Sequence, residues 1–161
     1  MNTKKISYLG LFSAIAIIFG YVESLIPVFA GIPGIKLGLA NLSVLFILYR
    51  YSMKDAAFVS VARIFVIGFL FGNMNSILYS LVGAALSLFS MALIRKLTDF
   101  SIYSISVTGG VMHNIGQLTV AMLVVESTSL MFYAPILMIS GMITGLLIAM
   151  LTKEVLKRIP L

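Results

Sequence analysis

The chain has 161 residues, 61% hydrophobic and only 10% charged, with eleven basic and five acidic residues giving a net charge of +6. A soluble domain is about 45–50% apolar and about 25% charged, so these proportions exclude a soluble enzyme and a disordered chain. The absence of cysteine excludes a disulfide scaffold and thiolate metal sites. The composition fits an integral membrane protein, where excess Lys and Arg set orientation and no nucleic-acid partner is implied.

A spanning helix needs about 20 apolar residues. The first predicted span runs from Ile6 to Ile26, after Lys4 and Lys5. It is too long for the apolar region of a signal peptide, and no small-residue cleavage pattern follows it. Pro27, Gly31, Pro33 and Gly34 then mark a loop. A shorter second span is predicted from Leu37 to Tyr49, a third from Ala56 to Phe71 and a fourth from Ser76 to Ile94. The fifth runs from Ile105 to Val125 and the sixth from Phe132 to Leu151. The apolar runs do not alternate as barrel strands do.

Six spans put both termini on one side, and nine of the eleven basic residues fall there: Lys4, Lys5, Arg50, Lys54, Arg95, Lys96, Lys153, Lys157 and Arg158. That side is cytoplasmic by the positive-inside rule. The expected fold is therefore all-α: a single six-helix transmembrane domain over residues 1–161, N-in and C-in, multi-pass in the cell membrane.

Residues three and four apart share a helix face. In the first span Gly10, Ser13, Ala14, Ala16 and Gly20 read as one stripe of small residues. Such a stripe serves packing inside the bundle or docking of a partner helix. Gly141 and Gly145 with Ala149 in the last span invite the same two readings. On the fifth span Gly110, His113, Asn114, Gln117 and Ala121 fall within a narrow arc. Polar side chains at this depth are costly and face the bundle interior or a wet cavity.

Arg63 lies about eight residues into the third span, about 12 Å deep at 1.5 Å per residue. Its charge cannot be discharged, so it pairs with Glu23 or backbone carbonyls, or it meets an anionic group of a ligand. Lys36 is the one basic residue in an outer loop, where it either snorkels or meets a phosphate or carboxylate. Asn41 and Asn73 sit at the outer helix ends, and Tyr79 is placed to stack.

Catalytic chemistry is missing from the sequence. Prenyl diphosphate synthases hold magnesium with aspartate-rich motifs, whereas the only aspartates here are Asp55 and Asp99. No GxxxxGK[ST] loop is present, no cofactor is implied, and with a single histidine no metal site is expected.

The stretches PGIKLGLAN (Pro33 to Asn41), FGNMNSILYSLVGAALS (Phe71 to Ser87) and GGVMHNIGQLTVA (Gly109 to Ala121) resemble the Gx transporter family, also called heptaprenyl diphosphate synthase component I. That family is similar to the S components of energy-coupling factor (ECF) transporters, six-helix proteins that capture a small molecule at the outer side. The resemblance implies docking on a transmembrane scaffold driven by ATPase subunits, through an AxxxA stripe on the first helix. Gly10 and Ala14 occupy the matching positions as GxxxA. It also implies that the loop from Val28 to Lys36 closes over the ligand.

The sequence therefore predicts a substrate-binding subunit of an ECF-type uptake transporter. Lys36 and Arg63 meet the ligand's charge, Asn41, Asn73, His113, Asn114 and Gln117 supply hydrogen bonds, and Tyr79 stacks. The ligand is vitamin-like, anionic or isoprenoid-related. The alternative is a non-catalytic membrane accessory subunit of prenyl diphosphate or quinone biosynthesis, and a third reading is a subunit of a membrane electron-transfer assembly.

Overall fold

The computed structural model describes residues 3–25 and 38–159. These described residues form six α-helices: α1 (Thr3–Leu25), α2 (Leu39–Arg50), α3 (Met53–Phe71), α4 (Met74–Leu97), α5 (Ile102–Val125) and α6 (Ala134–Arg158). A 3-10 turn, Thr128–Tyr133, leads into α6. The described residues contain no strand. By length and composition α1, α4, α5 and the 3-10 turn running into α6 can each cross a membrane. The 12-residue α2 is a shorter apolar helix, and α3 carries Lys54, Asp55 and Arg63 within its 19 residues. The chain is a multi-pass membrane protein.

Helix ends extend beyond the apolar runs read from the sequence. Charged and polar residues continue the backbone pattern to Leu97 and Arg158, because long basic side chains reach the interface from a helical backbone. Ser52 starts α3 by accepting from the backbone N–H of Asp55, and Asn73 starts α4 in a reciprocal capping box with Ser76.

The short α2 is the hub. Every residue from Leu42 to Leu48 is buried, the pattern of a helix that is apolar all round and enclosed by others. It packs against α1, α3 and α6, and Phe46 stacks on Phe12 of α1 with ring centroids 4.2 Å apart. Neighbouring helices also supply contacts to its terminal backbone groups. Glu23 Oε1 of α1 accepts from the N–H of Leu39 at 2.9 Å. Arg95 of α4 donates to the carbonyls of Leu48 and Tyr49 and lies over the Tyr49 ring.

Glycines set the other contacts. A Cβ at Gly116 would stand 2.8 Å from the Cα of Gly83, and one at Gly141 would stand 2.8 Å from the carbonyl oxygen of Gly110. Helix α5 is thereby held close to α4 on one side and α6 on the other. The Gly141–Gly145 stripe is internal packing: Ser106 on α5 donates to the carbonyl of Gly145 at 2.7 Å.

The stripe read along α1 divides in two. Ala16 and Gly20 are buried with Leu9 and Phe12, whereas Gly10 and Ala14 are exposed beside Leu11 and Ile18. At 100° per residue positions 10 and 14 are 40° apart, but 10 and 16 are separated by about a third of a turn. The five residues are not one face.

Contacts between helix ends define the bundle's polarity. Lys5 on α1 pairs with Asp55 on α3 at 2.8 Å, Arg95 ends α4 against the end of α2, and Lys153 on α6 lies over Tyr103 on α5. The basic residues flanking the helices therefore gather at one end.

Candidate functional site

A polar cavity of about 190 Å³ opens in the opposite half of the bundle. Asn41 from the first turn of α2, Arg63 from α3, and His113, Asn114 and Gln117 from α5 all line it. These five predicted residues come from three helices. The arc on α5 arises because residues 110, 113, 114 and 117 recur once per turn, and Gly110 lets α6 close against the same face.

The guanidinium of Arg63 is the centre of the arrangement. Its Nη2 donates to Asn41 Oδ1 at 2.7 Å. Among the described residues its Nε is shut off from solvent and has no hydrogen-bond acceptor. An unsatisfied buried donor costs about 1–3 kcal/mol, and more when charged. Of the partners considered from the sequence, neither Glu23 nor a backbone carbonyl forms a hydrogen bond with it among the described residues. Glu23 lines the same cavity and acts on Arg63 through space, while its Oε1 is committed to the N-terminus of α2.

Glu23, which the sequence offers only as a partner for Arg63, lines the cavity, and so do Ser80 and Thr144, which carry no signal in the sequence. An isolated acid near the end of a span carries no positional signal until the start of α2 is folded against it. Gly38, just before α2, has φ +73° and no side chain with which to cap the helix. Glu23 supplies the missing acceptor from α1.

Asn114 is partly committed, and the remaining predicted residues lie elsewhere. Asn114 lines the cavity but spends its amide on the carbonyl of Leu137, at 2.6 Å. Asn73 lines neither described cavity; its side chain accepts from Ser76 N–H at 2.8 Å, and residues of its type favour helix caps for this reason. Tyr79 lines a second, apolar cavity of about 430 Å³, walled also by Ala121, Leu130, Tyr133 and Leu137. Ser76, Ser80 and Gln117 border both cavities. Lys36 and the loop from Val28 to Lys36 lie outside the described residues. Gly10 and Ala14 are on the outer surface of α1, where a Cβ at Gly10 would meet nothing within 4 Å.

No group of three or more potential metal-ligating residues occurs among the described residues. The geometry offers a fixed cation, hydrogen-bonding amides and an adjoining apolar wall, which is equipment for holding a small molecule.

No curated protein and no solved structure matches the chain significantly. A family model does match, over residues 12–155, which takes in α2 to α5, most of α1 and α6, and both cavities. The chain belongs to the family described as heptaprenyl diphosphate synthase component I.

Proposed function

We propose that the chain is the substrate-capture subunit of an energy-coupling factor type uptake transporter in the cell membrane. It forms one six-span domain over residues 1–161 with both termini cytoplasmic. A small anionic or amphipathic molecule, vitamin-like or isoprenoid-related, enters the cavity from the outer side. Arg63 meets its charge, while Asn41, His113, Asn114 and Gln117 orient it. The Gly10–Ala14 surface of α1 docks on a scaffold subunit, and partner ATPases drive release inward. The sequence has no nucleotide-binding loop of its own.

The carrying observation is a guanidinium, that of Arg63, lining a polar cavity away from the basic end with Asn41 as its hydrogen-bond acceptor among the described residues. A charge held inside the membrane marks a ligand site by default. Asn41 fixes one arm of the guanidinium, and a carboxylate or phosphate could accept from what remains. Mass spectrometry of small molecules released from purified wild type and Arg63→Leu tests the reading. A vitamin-like or anionic molecule present only in wild type is the expected result. Loss of the folded protein in Arg63→Leu would instead make Arg63 structural.

The family's printed name favours a second reading, a non-catalytic membrane subunit that assembles with a prenyl diphosphate synthase. That subunit would retain a prenyl lipid in both wild type and Arg63→Leu and would bind a soluble synthase at its cytoplasmic face.

A further inference from the structure

Two cavities of opposite character adjoin at Ser76, Ser80 and Gln117. The polar one, at about 190 Å³, is smaller than the roughly 300–1,000 Å³ of ordinary small-molecule sites. Alone it has room for a head group but not for a whole vitamin-sized ligand. The apolar one, at about 430 Å³, has no charged residue in its lining. A guanidinium lining the polar cavity selects a carboxylate or phosphate, and a wall of Leu118, Ala121, Leu130 and Leu137 selects hydrocarbon.

The geometry points to a bipartite ligand. It is an amphipathic anion whose head meets Arg63 and whose hydrocarbon body passes Gln117 into the apolar cavity beside Tyr79. Gln117, which borders both cavities, stands at the junction where head and body join. This inference rests on ligand binding at Arg63 and names the chemical class bound there.

The test measures binding of ethyl, butyl and hexyl phosphate, and of hexanol, to the full chain in nanodiscs, with binding to empty nanodiscs subtracted. Wild type should gain about three- to fourfold in affinity per added methylene and should bind hexyl phosphate at least about tenfold more tightly than hexanol. Arg63→Gln should erase the preference for phosphate over alcohol and keep the chain-length dependence. Ala121→Phe, which fills the apolar cavity, should flatten the chain-length dependence and leave ethyl phosphate within about twofold of wild type. Leu130→Asn, on the partly exposed 3-10 turn, should flatten it too and guards against misfolding of the first variant. Hexanoate run in parallel separates carboxylate from phosphate heads.

An unchanged chain-length dependence in both cavity variants would overturn the proposal. Equal wild-type binding of hexanol and hexyl phosphate would also overturn it and make the apolar cavity a seat for lipid tails. If ethyl phosphate still depends on Arg63 while the hydrocarbon ignores the apolar cavity, capture stands and the bipartite ligand falls. If no anion depends on Arg63, both fall.

Discussion

Glu23 and Arg63 share one small cavity, and their charges act in opposite directions on whatever enters it. An anion attracted by the guanidinium is repelled by the carboxylate, so under the capture reading binding is a competition between ligand and Glu23 for the same cation. Glu23→Gln removes the charge and retains an oxygen that can accept from Leu39 N–H. Under the capture reading this variant binds hexyl phosphate several-fold more tightly than wild type, as measured by displacement of labelled ligand. Weaker binding would mean that Glu23 itself holds a cationic part of the ligand. Arg63 was legible from the sequence because a charge inside an apolar run has no other explanation than function or pairing. Glu23 was legible as a possible partner of Arg63, but its hold on the start of α2 was not, because that depends on a helix that starts 16 residues later.

At the scale of the element, small residues on helices have two different tasks. Gly110 and Gly141 bring α5 and α6 into backbone contact, so a side chain at either forces the helices apart. Gly110→Leu should cost about 1–3 kcal/mol through overpacking, visible as a lowered Tm in detergent. Gly10→Leu adds a side chain where nothing lies within 4 Å. It should leave the Tm within about a degree of wild type and, under the capture reading, should abolish co-purification with a scaffold subunit; co-purification at wild-type levels would remove Gly10 from the proposed docking surface. The α-helical class and the six segments were legible because apolar run length sets them. The division of the α1 stripe was not, since small residues look alike in sequence and only the packing partners tell buried Ala16 from exposed Ala14. The polar arc of α5 could be read because its spacing repeats each turn. The apolar cavity beside it could not, because ordinary Leu and Ala line it.

Across the whole molecule, charge is distributed toward one end. There Lys5 and Ser52 hold the Asp55 carboxyl below the usual carboxylate range, Lys5 having the larger effect, and Arg158 and Lys157 do the same for Glu154. A carboxylate whose folded value is depressed contributes stability above its unfolded value, near pH 4, and that contribution is lost as pH falls through the folded value. The wild-type unfolding midpoint in detergent should therefore drop more steeply below about pH 4 than that of Asp55→Asn. Identical acid limbs would show that the tie between α1 and α3 is absent in solution. Acidification also leaves the gathered basic residues less neutralised, so added salt should soften the fall.

The enclosed α2 bears on the order in which the protein is made. Synthesis runs from the N-terminus, so α2 leaves the ribosome long before Arg95 exists. With 12 residues it spans about 18 Å, well short of a roughly 30 Å hydrocarbon layer. Its first N–H is met by Glu23 almost at once, but its last carbonyls wait for the far end of α4. Until then those carbonyls depend on water at the interface, because in hydrocarbon each unsatisfied group costs several kcal/mol. A nascent chain halted before residue 95 would keep α2 near the interface, and the segment would settle into the bilayer only as the fourth helix arrives to receive it.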